Sequence, residues 1–71
     1  MSRVPHIRYL KHEDDGGWGV IKEGHRNATA YGSSRADALR TARYQMRGEG
    51  GGEIRVLNET GKVIEVVKVD G

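Results

Sequence analysis

An α+β fold is expected of this chain: a mainly antiparallel sheet of β-β-β-α-β-β order with one helix packed on one face. Three features point to it: short apolar/polar alternations through Tyr31, one capped run of helix formers from Ser34, and a β-branched hairpin after a Gly run.

His6 to His12 set Ile7 and Tyr9 on one side and His6, Arg8 and Leu10 on the other, an imperfect period of two that suits a strand. Asp14-Asp15-Gly16-Gly17 brings short polar side chains and tolerance of positive φ, which a chain reversal needs. In the second strand Trp18 and Val20 belong to the core and Ile21 to the other face. Gly24 to Asn27 reverses the chain again, and Ala28 to Tyr31 makes a short third strand. Ser34 caps the helix, with Asp37 in the place where Glu or Gln completes a capping box. Ala38, Leu39, Ala42 and Met46 form one apolar stripe at helical spacing, so this face packs on the sheet. Gly48 is expected as the C-cap, and Gly48-Glu49-Gly50-Gly51-Gly52 as a flexible connection. Ile54, Val56 and Leu57 begin a fourth strand, Asn58 to Gly61 turns, and Lys62 to Val69 closes the hairpin. Simple alternation in that last strand puts Ile64 and Val66 on one face and Val63, Val67 and Val69 on the other.

At 71 residues and 7.9 kDa, residues 1–71 are expected to form a single domain, close to the lower size at which one core suffices. The chain has no Cys, so neither disulfides nor thiolate metal sites supplement the core, and a cytoplasmic location is expected. Arg3, His6 and Arg8 are not followed by an apolar run, and no stretch approaches the ~20 apolar residues of a membrane helix, so neither an export signal nor a membrane partner is expected. Twelve basic and 10 acidic side chains give a net charge of +2, a mixed surface rather than a polycation. Charge alone therefore does not demand nucleic acid; its distribution matters more, because the helix is markedly basic.

Several of these segments together resemble a known family. Val4-Pro5, Gly17-Trp18-Gly19-Val20 with Gly24, Ser34, Ala38 to Arg43, Gly51-Gly52-Glu53-Ile54-Arg55-Val56 and Gly61-Lys62-Val63 look like the motifs, in order, of the small bacterial family called domain of unknown function 2188. The likeness runs over nearly the whole chain, although Asn58-Glu59-Thr60-Gly61 is longer than the family's usual turn before the last strand. The resemblance implies a compact α+β domain of bacterial or phage origin, and implies no established activity.

Two residue sets stand out as interaction candidates. Arg40, Arg43 and Arg47, with Tyr44 beside them, share the helix face turned away from the apolar stripe. Planar guanidinium forks suit phosphate and the phenol can stack on an unpaired base. The competing reading is that Arg is a good helix former at solvated positions near the negative end of the helix dipole. The second set is the row Val63, Val67 and Val69, surplus apolar surface if only one side of the sheet is covered.

The remaining chemistry-bearing residues form no constellation. His6 and His12 lie far apart along a strand at about 3.3 Å per residue, and His25 belongs to another turn, so no metal site is expected. Glu13, Asp14 and Asp15 sit in a wet, Gly-rich turn that cannot separate their pKa values for acid/base work. The Gly48 to Gly52 run leaves a helix, whereas phosphate loops enter one.

The expected function is thus a non-enzymatic interaction module whose partner is a second copy, as a homodimer, or another protein. The alternative is a nucleic-acid-binding accessory protein using Arg40, Arg43, Tyr44 and Arg47. No catalytic, cofactor-binding or metal residue is assigned, and neither a cofactor nor a small-molecule substrate is indicated.

Overall fold

The computed structural model describes residues 6–70; Val4 and Pro5, which carry part of the family resemblance, lie outside them. Along the chain run β1 (His6–His12), β2 (Trp18–Lys22), β3 (Ala30–Gly32), α1 (Arg35–Gly48), β4 (Gly51–Leu57) and β5 (Val63–Asp70). The α+β class and its one helix match the sequence expectation. The sheet, however, is mixed: its order is β3-β2-β1-β4-β5 and its central pair, β1 and β4, is parallel. The helix is the reason, because it carries the chain from β3 back to the far side of β1, and parallel neighbours require such a crossover.

Alternation assigns the two faces. Leu10, Val20, Ile54, Val56 and Val69 point from the sheet to one side, where Ala38, Ala42 and Met46 of α1 cover them, and all eight are buried. Trp18, Ala30, Leu39 and Val67 pack around this core. Small residues set the spacing. A Cβ at Gly32 would lie 2.4 Å from the backbone N of Ala38, so the first turns of α1 can rest on β3 only because Gly is there.

Ser34 is the N-cap, its side chain accepting from the Asp37 N–H at 3.1 Å. Asp37 reaches one residue further back than a capping box does, accepting from the Ser33 N–H at 3.0 Å and from its hydroxyl at 3.3 Å. The far end of the helix departs from expectation. Gly48 is the last helical residue, Glu49 is the C-cap, and the left-handed position is Gly50 at φ 96°.

The Gly run is not a flexible connection. Gly51 and Gly52 already belong to β4, and Gly51 is buried. Gly52 has φ 153°, and a Cβ there would meet the His6 carbonyl oxygen at 2.1 Å and Met46 Cε at 2.7 Å. At Gly52 the missing side chain lets Met46 of the helix and the His6 carbonyl of β1 approach the β4 backbone closely.

The Val63, Val67 and Val69 row needs correction. Val56 pairs with Glu65 and Leu57 with Val63, which leaves Ile64 as the extra residue of a bulge. The bulge shifts the alternation by one: Val67 and Val69 go to the core side, while Val63 shares the opposite side with Val66. Val69 is buried and Val67 half-buried, so this set is not an exposed row.

Candidate functional site

The side of the sheet opposite α1 has no covering element among the described residues. Register places Tyr31 beside Gly19, Ile21 beside Tyr9, Tyr9 beside Arg55, Arg55 beside Val66 and Leu57 beside Val63 on this open face. Ile7, Tyr9, Ile21 and Leu57 are half-buried there by their neighbours, whereas Val63 and Val66 on the edge strand are 41% and 48% exposed.

A polar chain crosses the middle of this face. Tyr9 donates its hydroxyl hydrogen to Glu23 at 3.5 Å and accepts from Arg55 Nη1 at 3.4 Å. The Arg55 guanidinium stands 5.9 Å from the Tyr9 ring centroid, and Arg55 Nε lies 3.7 Å from Glu53. Lys11 and Lys68 flank the group, and Glu13 lies over Gly19, where its Oε1 would be 2.5 Å from a Cβ. Lys11, Arg55 and Lys68 thus oppose Glu13, Glu23 and Glu53, so formal charges on the face balance. Glu23 and Glu53 of this face are engaged by Tyr9 and Arg55.

The basic helix face is solvent-exposed as expected. Arg40, Arg43, Tyr44 and Arg47 all point outward, Tyr44 at 82% exposure. Arg40 Nη1 lies 4.0 Å from Asp37 Oδ1. The Ser33 N–H holds the Asp37 carboxyl below the usual carboxylate range; its hydroxyl and Arg40 add to this, and desolvation opposes it.

His6 and His12 stand at opposite ends of β1, and His25 sits in the loop after β2. Asp14 and Asp15 are exposed in the β1–β2 turn, where Asp15 accepts from the Gly17 N–H at 3.0 Å. No helix among the described residues is long and apolar enough to cross a membrane.

One structurally weighty pair was not anticipated. Arg8, 3% exposed on the core side of β1, puts Nη2 2.7 Å from Glu49 Oε1 and donates from Nε to Gln45 at 3.3 Å. Lys22 Nζ stands 4.0 Å from the other Glu49 oxygen. The Arg8–Glu49 contact is an ion pair without good hydrogen-bond alignment, and Arg8 Nη1 has no hydrogen-bond partner among the described residues. Arg8 lowers the Glu49 carboxyl below its ordinary range; burial opposes this, and His6 and Lys22 assist it. The available signal was that Arg8 alternates with Leu10, which is a core position.

Against protein-family models, residues 7–66 match the family described as uncharacterized protein conserved in bacteria (DUF2188). The chain belongs to this family. No curated protein and no solved structure matches it. The DUF2188 match runs from Ile7 in β1 to Val66, halfway along β5, and so includes the helix and most of the open face.

Proposed function

We propose that the protein is a non-enzymatic interaction module that self-associates through its open sheet face, with Val63 and Val66 as the exposed apolar row. The carrying observation is that these two valines stand exposed on the edge strand of a side that α1 does not cover, Val63 beside half-buried Leu57 and Val66 beside half-buried Arg55. An edge strand with exposed β-branched residues is a hazard to a lone monomer and an asset to a dimer. Balanced charge favours a second copy as occupant, because a two-fold axis can set the acids of one face against the bases of the other. A standard interface needs about 800 Å² from each partner, roughly one sixth of the 5097 Å² surface. A cytoplasmic location belongs to the same proposal, since a chain without Cys gains nothing from an oxidising compartment.

Paired substitutions test it. Val66→Lys is expected to weaken association while leaving the monomer folded, whereas Val67→Lys puts a charge against the core and destabilises the fold itself. Measuring sedimentation and thermal unfolding on both variants separates the effects; equal association by Val66→Lys and wild type refutes the proposal.

A second reading, nucleic-acid binding by the helix face, is favoured by Tyr44, whose exposed ring lies between Arg40 and Arg47 at helical spacing. Three phosphate contacts predict a log–log salt slope of about −2 to −3, abolished by changing Arg40, Arg43 and Arg47 to Glu. Binding that is insensitive to salt, or that survives the triple change, excludes this face.

A further inference from the structure

We propose that the acidic end of the sheet is a binding site for a small amphiphilic amine, an ammonium group on an apolar body. The site borders the open face and shares Leu57, Lys11 and Glu13 with it.

Two open depressions adjoin there. The first, of 460 Å³, takes apolar lining from Trp18, Leu57 and Ile64 and polar lining from His12, Asn58, Glu59 and Thr60. That volume lies within the range of small-ligand sites. The second, of 510 Å³, is lined by Lys11, His12, Glu13, Asp14 and Glu59. Both share His12 and Glu59, so the apolar depression lies beside one lined by three carboxylates and one lysine.

The lining follows from the fold. His12 and Trp18 are the last pair of the β1–β2 ladder, and their rings stand 5.1 Å apart at 48°, forming an aromatic corner. The β5 bulge supplies Ile64, 61% exposed in a place where continued alternation would have turned it to the other face. The Asn58–Lys62 turn satisfies itself: Asn58 Oδ1 accepts from the Thr60 N–H, the Thr60 hydroxyl and the Lys62 N–H. The Glu59 carboxylate, by contrast, has no ion-pair partner among the described residues. Aromatic edges and faces beside an unpaired carboxylate recognise a cation, and the apolar floor asks that it carry a hydrocarbon body.

Trp18 is the sole tryptophan, so its fluorescence and its indole N–H resonance report on the site directly. The test titrates the purified protein with phenethylammonium and, separately, with its neutral counterpart 2-phenylethanol, following Trp18, Ile64 and Glu59 by two-dimensional NMR. Phenethylammonium is expected to bind about tenfold more tightly than the alcohol, the combined size of an exposed ion pair and an exposed cation–π contact. Glu59→Gln, at an exposed turn, leaves the fold intact and is expected to remove the ion-pair part of that preference, narrowing it to about threefold. Equal binding of the two probes, unchanged binding by Glu59→Gln, or no shift of these resonances at about 50 mM amine overturns the proposal.

Discussion

Replacing Glu49 with Gln removes the counter-charge of the only deeply buried cation among the described residues. Arg8 is 3% exposed and keeps Gln45 as a partner, but loses the carboxylate 2.7 Å away. Breaking a fully buried pair costs about 3–5 kcal/mol because the surviving charge is left uncompensated. The Glu49 side chain retains 28% exposure, so water already screens its side of the pair and the expected loss falls to about 2 kcal/mol. For a domain of this size that corresponds to a fall in Tm of roughly 8–16 °C. The acid limb carries the same signature. Glu49 has a lowered pKa when folded, so its contribution is complete above the ordinary glutamate range and is lost as pH falls through the lower, folded value. Wild-type stability is therefore expected to decline below about pH 4–5, and Glu49→Gln to show a flatter decline there. Chemical denaturation followed by circular dichroism between neutral and acid pH measures both quantities. The double change Arg8→Met with Glu49→Met should recover much of the loss, since apolar replacements of both partners leave no buried charge. A Glu49→Gln loss below about 0.5 kcal/mol, with an unchanged acid limb, refutes this account of the pair.

Two further outcomes are expected. Gly52→Ala forces a Cβ against the His6 carbonyl oxygen at a backbone angle that disfavours side chains, and should destabilise by about 2–3 kcal/mol in the same assay, whereas a connection free to move would tolerate it within a few tenths. Anisotropy titrations of labelled single- and double-stranded DNA and RNA at low and physiological salt separate the helix-face reading from solvated arginines: a loss of affinity with salt supports the former, and no binding even at low salt the latter.

Local patterns made most elements legible. The capped helix followed from Ser34 and Asp37 and its packed face from Ala38, Ala42 and Met46, because both depend on residues within a few positions of one another. The same periodicity located the outward Arg40, Arg43, Tyr44 and Arg47 face. The parallel pairing of β1 with β4 was not legible, since it joins segments more than forty residues apart and depends on where α1 returns the chain. The bulge at Ile64 was hidden for another reason: nothing in Val63-Ile64-Glu65 marks an extra residue, and one such residue inverts the assignment of everything on one side of it. The expectation of an uncovered valine row therefore had the right logic and the wrong members beyond Val63. The Gly48–Gly52 run misled because glycine serves both flexibility and close approach, and only the positions of His6 and Met46 distinguish the two at Gly52.

Self-association through the open face is tested most directly by the mass of the protein in solution. Sedimentation equilibrium over a wide concentration range is expected to give twice the 7.9 kDa chain mass for the wild type and a shift toward the single chain for Val66→Lys, with the variant still cooperatively folded. A wild type that stays at 7.9 kDa at every concentration, or a Val66→Lys variant that dimerises as the wild type does, contradicts the account.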